Sequence, residues 1–161
     1  RMGSGGSTGD YISLKNYDRC LILAVRQAPT STGDAMNFTI QQAKDSTGTS
    51  VKGLNVKAVY KKESTSRITD VAKWTRSTAT LGGTGTTGST FAGVKTKKAQ
   101  MYAFDIGTEE LDVDNKFDFI RVNVADGGAS TGAGNAFVTL YIPYNAKHPS
   151  KTTAMLGVIA G

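Results

Sequence analysis

The 161-residue chain contains one cysteine, one histidine, one tryptophan and three prolines, and these scarcities exclude several kinds of chemistry. With Cys20 alone, no disulfide forms within the chain, and a thiol beside the apolar run 21–25 reads as a small buried or edge-strand side chain. A fold without disulfides suits a reducing cytoplasm, and equally a secreted protein that manages without them. His148 stands before Pro149 in a polar stretch, with no His or Cys at zinc-binding spacing. A Ser-His-Asp arrangement would have to recruit that same histidine, and no nucleophile-elbow motif accompanies it. The glycine-rich stretches lack the spacing of a phosphate-binding loop, so glycine here means flexibility. Long apolar runs are missing too: none approaches the roughly 20 residues that cross a bilayer, and RMGSGGSTG lacks the hydrophobic segment of a signal peptide. The expectation is a protein neither membrane-bound nor exported, with MGSGGS either a native arm or a scar of expression.

What remains is a folded body with polar loops. Apolar residues make up 39% and charged residues 20%, while Gly, Ser and Thr fill the gaps. A chain of this size buries about 68–70% of its unfolded surface, enough for one core. The net charge of +6 is scattered, with small clusters at Lys61/Lys62 and Lys95/Lys97/Lys98. Scattered charge reads first as solubility, then as a basic surface facing an acidic protein partner. Nucleic acid comes last, because no dense basic stripe or recognised motif is present.

Period-two alternation recurs along the chain, and no segment of 12 or more residues keeps a helical period. Residues 19–26 (RCLILAVR) form a nearly continuous apolar strand, the pattern of burial on both sides or at a sheet centre. Residues 35–43 alternate Met36, Phe38 and Ile40 with polar neighbours. Residues 54–60 read with Leu54, Val56, Ala58 and Tyr60 on one face and Val59 exposed. Residues 67–76 read as a strand with a bulge, although Ile68, Val71 and Trp74 at intervals of three also permit a short helix. Residues 98–106 turn Tyr102, Phe104 and Ile106 inward, and Thr108 is placed to cap one helical turn containing Glu109 and Glu110. Residues 137–144 alternate again until Pro143 ends the strand or sets it at an edge.

Three polar loops, 45–53, 77–90 and 126–134, lack the apolar area to offset ordering and are expected to be mobile, the second a candidate binding loop. Asp112, Asp114 and Asp118 alternate as calcium ligands do, but without the glycine and distal glutamate of a calcium loop they read as a solvated turn. Trp74 and the six tyrosines fit core or interface packing better than a sugar- or base-stacking face. The organisation expected is a flexible arm over 1–10, a β-sandwich over 11–144, and a tail over 145–161. Met155, Leu156, Val158 and Ile159 of that tail form a last strand or reach a neighbouring subunit.

Residues 111–126 (LDVDNKFDFIRVNVAD) join an acidic turn to a strand with Ile120, Val122 and Val124 on one face. Together with the strands at 99–106 and 135–144, this passage resembles the C-terminal half of small tailed-phage structural proteins, in particular capsid decoration or cement proteins. The resemblance covers roughly residues 10–144. The strand pattern predicts an all-β, jelly-roll-like antiparallel sandwich of seven or eight strands with long Gly/Ser/Thr-rich loops, and the residues point to a non-catalytic domain without cofactor or metal. The resemblance implies a place on the exterior of a capsid assembled in the host cytoplasm. The partners implied are the phage major capsid protein and a second or third copy of the chain, with no membrane. The contacts expected are residues 1–10, the 77–90 loop, the 145–161 tail and the lysine clusters. The alternatives are a carbohydrate-binding module of a phage tail or fibre, another head or tail component, and a single-stranded nucleic-acid binder.

Overall fold

The run 17–26 places Cys20, Ile22 and Ala24 on one side, all without solvent exposure, and Leu21, Leu23 and Val25 on the other. In the computed structural model, which describes residues 7–28, 36–56, 58–63, 73–78, 90–92, 98–126 and 137–147, this run is strand β3 (Tyr17–Arg26). It follows two short strands, β1 (Ser7–Thr8) and β2 (Ile12–Ser13). Then come β4 (Met36–Ala43), β5 (Lys52–Gly53), β6 (Ala58–Glu63), β7 (Thr75–Thr78), β8 (Thr90–Ala92) and β9 (Gln100–Gly107). Two 3-10 turns, Thr108–Glu110 and Val113–Asn115, lead into β10 (Phe119–Asp126) and β11 (Phe137–Ala146).

Two antiparallel sheets result. One has five strands in the order β11-β3-β9-β6-β7, and the other has six, with β10 and β4 paired at its centre and β1, β2, β5 and β8 beside them. The chain changes sheet between β2 and β3, between β3 and β4, between β5 and β6, between β7 and β8, and at every step from β8 to β11, a jelly-roll-like winding. Seven of the described strands have four or more residues, as the sequence pattern predicts.

The layers join through Phe38, Ile40, Phe91, Ile120, Val122 and Val124 on one side, and Ile22, Tyr102, Phe104 and Ile106 on the other. Phe38 meets Tyr102 at 4.6 Å between ring centroids, and Phe91 meets Phe104 edge-on at 5.2 Å. Each large side chain buried this way contributes about 1.5–3 kcal/mol. A polar bond also crosses the sandwich. The Tyr141 hydroxyl accepts the Val122 backbone N–H at 2.9 Å, where the β10 edge lies between its pairings with β1 and β2. Burial pushes that phenol up to about 12.

Several expectations are corrected. Val59 is buried and Tyr60 exposed, the reverse of the sequence reading, because the chain leaves the six-stranded sheet after Gly53 and enters the other at Ala58. Leu54 and Val56 stay buried in the crossing, with the Leu54 N–H donating to the Ile40 carbonyl at 2.8 Å. The loop 45–53 is folded. The Asp45 carboxylate accepts from Thr47 and Thr49 backbone N–H groups, Gly48 supplies a φ of 86°, and β5 pairs with β4. Gly107 rather than Thr108 holds the capping position of the first 3-10 turn, and no side chain caps it. Of the two expectations for Pro143 the edge position holds: β11 is the edge strand of its sheet, where a missing N–H is tolerated, and it runs on to Ala146. Of the segment 67–76, residues 67–72 lie outside the described residues and its end enters β7, while the interiors of the loops 77–90 and 126–134 also lie outside.

Candidate functional site

A strand shows alternate residues to opposite faces, so the register of the five-stranded sheet fixes what its outer face displays. Val138, Val25, Met101 and Lys62 form one row across β11, β3, β9 and β6. Leu140, Leu23, Ala103 and Tyr60 form the next, continued by Arg76 of β7. Ile142, Leu21 and Asp105 form the third, and Tyr144, Arg19 and Gly107 the fourth. Val138 is 63% exposed, Tyr60 44%, Val25 40% and Ile142 39%, which makes this an apolar surface open to solvent. Within it Leu21, Tyr60, Ala103, Asp105, Ile142 and Tyr144 enclose a depression of about 460 Å³.

An ion-pair network closes one end of the face. Arg19 donates to both oxygens of Asp105 at 2.9 and 3.2 Å, to the Tyr144 hydroxyl at 2.9 Å and to Glu109 at 3.2 Å, while Tyr144 donates to Asp105 at 2.7 Å. Partial burial pushes the Asp105 carboxyl up, but the bonds from Arg19 and Tyr144, with the Arg19 charge, outweigh it and leave it below its ordinary value. The hydroxyl and carboxylate at the depression are therefore already engaged.

The carboxylates 112, 114 and 118 do not form a cation site. Asp112 pairs with Lys52 and accepts from the Asn115 side chain at 2.8 Å, Asp114 points outward from the second 3-10 turn, and Lys116 at φ 67° completes the reversal before Phe117. Among the described residues no group of three or more His, Cys, Asp or Glu side chains is placed to hold a metal ion. Cys20 is fully buried, and burial pushes its thiol up to about 12, so near neutral pH it is no nucleophile. Asp45, held by its Thr49 and Thr47 hydrogen bonds, Asp112, held by Lys52 and Asn115, and Asp105 all lie below their ordinary range. Folded, they bind fewer protons than the unfolded chain, so their stabilisation is complete above about pH 4 and lost as pH falls through their lowered values. Urea midpoints are expected to hold between about pH 7 and 5 and to fall by about pH 3; a midpoint unchanged at the lowest pH would contradict this.

The pair Lys61/Lys62 is divided between the two faces of β6. Lys61 turns inward and pairs with Glu63 at 2.9 Å, whereas Lys62 turns outward beside Met101. Lys98 is half-buried, and Lys95 and Lys97 lie outside the described residues, as do His148, Met155, Leu156, Val158 and Ile159. A second depression gathers Lys15, Lys44, Lys116 and Lys147 around Leu14, Leu111 and Val113, with Asp118 among them. These lysines are distant in sequence, and no pattern there announces them. Tyr11 and Tyr102 are buried, Tyr17, Tyr141 and Tyr144 half-buried, and Trp74 45% exposed.

The sequence reading missed the outer apolar face as a site, yet its signal is the run RCLILAVR, apolar at inward and outward positions alike. Among the described residues no helix is long and apolar enough to cross a membrane. Comparison with models of known protein families, with curated proteins and with solved structures finds no match.

Proposed function

We propose that this chain is a structural protein that works by adhesion, and that its setting is the exterior of a phage head, where it decorates and stabilises the capsid lattice. The observation that carries the adhesive part is the solvent-facing apolar side of the five-stranded sheet. Contiguous apolar surface larger than a few hundred Å² marks interaction sites, and the covering proposed for this face is protein. The capsid setting comes from the resemblance of residues 111–126 and their flanking strands to cement proteins. Such a role needs no reaction. Many modest contacts made together to several capsid chains raise avidity through effective concentration.

A second reading, a carbohydrate module of a tail or fibre, draws on the depression between Tyr60 and Tyr144. A sugar site needs convergent polar groups that are free to bind, and here Asp105 and Tyr144 already serve Arg19. A glycan screen with no binding removes this reading.

The test of the leading reading uses capsids assembled without the chain. Added protein is expected to co-sediment with them and to raise the temperature at which they release DNA. Failure to bind capsids, or binding to isolated tails alone, would refute it.

A further inference from the structure

Four lysines from separate parts of the chain meet at one end of the sandwich. Lys15 lies in the turn between β2 and β3, Lys44 just after β4, Lys116 in the reversal before β10 and Lys147 just after β11, and together they rim a depression of about 470 Å³. Backbone bonds hold these segments against one another: the Leu14 N–H donates to the Asp118 carbonyl at 2.7 Å, and the Lys147 N–H to the Asn16 carbonyl at 3.0 Å. We propose that this depression is a binding site for an acidic peptide segment of another protein, one that carries an apolar side chain between its carboxylates. The site shares no residue with the depression on the apolar face, and it goes beyond the capsid reading, on which it does not depend.

The charge gathered here is largely uncompensated. Lys15, Lys44 and Lys116 are exposed and make no ion pair among the described residues, and Lys147 reaches Asp18 only at 4.0 Å. Acidic groups of the adjoining turns already serve other cations, Glu109 with Arg19 and Asp112 with Lys52. Among the described residues Asp118 is the one carboxylate that lines the depression, against four ammonium groups. Like charges drawn together by the fold repel one another, and an anionic occupant removes that repulsion.

The wall of the depression selects the class of ligand. Val113 is 51% exposed there, the buried Leu14 and Leu111 also contribute, and the methylene stems of the lysines add apolar surface. A bare inorganic anion leaves that wall unused. A nucleic-acid strand calls for rings on which bases stack, yet none of the described lining residues is aromatic. The Phe117 ring is buried, with the Lys44 and Lys52 ammonium groups 5.4 and 4.5 Å from its centroid. A lipid surface is met by protruding apolar groups, whereas this wall is recessed. A peptide supplies both parts: an aliphatic side chain for the recess, and carboxylates on either side of it for the rim, where lysine engages an anion as a point charge.

Fluorescence anisotropy tests the inference with the full chain and a labelled, end-capped hexapeptide, Glu-Glu-Leu-Leu-Glu-Glu. Its dissociation constant is expected to be about 100 μM at about 20 mM salt and about tenfold weaker at about 0.15 M. Replacing every Glu of the peptide by Gln, or both Leu by Ser, is expected to weaken binding about tenfold and about threefold respectively. In the protein, Lys15→Glu and Val113→Asp are each expected to cost about tenfold. Lys73→Glu changes the net charge as Lys15→Glu does, at an exposed residue that does not line the depression, and is expected to change binding less than about twofold. All three positions are exposed, and circular dichroism confirms that each variant is folded. No binding at low salt, equal binding of the Gln or Ser peptide, or equal losses in Lys73→Glu and Lys15→Glu would overturn the site. So would a labelled oligothymidylate that binds more tightly than the peptide and is lost in Lys15→Glu, since nucleic acid would then be the occupant. Capsid binding by a chain that ignores the peptide removes this site and leaves the adhesive reading standing; peptide binding by a chain that ignores capsids does the reverse.

Discussion

Phe104→Ala is expected to lower the unfolding free energy by about 3–5 kcal/mol. Phe104 has no solvent exposure and lies where the layers meet, with its ring 5.2 Å from Phe91 and 6.3 Å from Phe38 between centroids. Its removal forfeits the transfer free energy of the ring and leaves a cavity whose walls belong to both sheets. Neighbours tied into ladders on each side collapse into such a space only in part. A domain of ordinary stability holds about 5–15 kcal/mol, so the variant is expected to unfold at far lower urea. Val113→Ala, at a position 51% exposed, is the control and is expected to stay within about 0.5 kcal/mol. A loss below about 1 kcal/mol in Phe104→Ala would mean that the sheets do not share this core.

Arg26→Ala is expected to cost about 2–4 kcal/mol by a different route, a lost buried hydrogen bond together with a void. Arg26 ends β3 with no solvent exposure, and its Nη1 donates to the Gln100 Oε1 at 3.3 Å. The Tyr102 hydroxyl donates to that same oxygen at 2.7 Å, Gln100 Nε2 donates to Glu63 at 3.3 Å, and Lys61 reaches Glu63 at 2.9 Å. Removing the guanidinium withdraws one donor from this buried chain of polar groups and opens a void among them. Arg26→Met keeps most of the volume and is expected to cost less than the alanine variant, which separates lost packing from lost charge. Equal stability of Arg26→Ala and the parent in urea would contradict the role given to this network.

The β character of β3, β4, β9 and β10 was legible because period two in apolar residues follows directly from the pleat, and one buried face suffices to write it. The phase of Ala58–Glu63 was not, since a strand that changes sheets restarts its alternation and no local residue marks the change. Tyr141 read as one more alternating residue. Its bond to Val122 depends on where β1 and β2 leave β10 unpaired, which is set by residues more than a hundred positions away. Nothing in the run 19–26 marks Arg26 as buried, and only Gln100, aligned with it by register, shows that it belongs to a polar network.

The adhesive face was half legible. The run RCLILAVR announced that both sides of β3 are apolar, which the sequence reading took as burial within one molecule. The single chain covers only the side carrying Cys20, Ile22 and Ala24 among the described residues. The other side becomes a site through strand order, because β11 and β9 bring Leu140, Ile142, Met101 and Ala103 alongside Leu21, Leu23 and Val25. Strand order is a non-local property, and so is the separation of Lys61 from Lys62 onto opposite faces of β6.

The most direct test of this account is an image reconstruction of a virion that carries the chain. The account predicts density for the sandwich outside the major capsid lattice, with the side of the five-stranded sheet that displays Val138, Leu23 and Tyr60 covered by protein. Density confined to the tail, or a capsid-bound sandwich with that side bare to solvent, would contradict it.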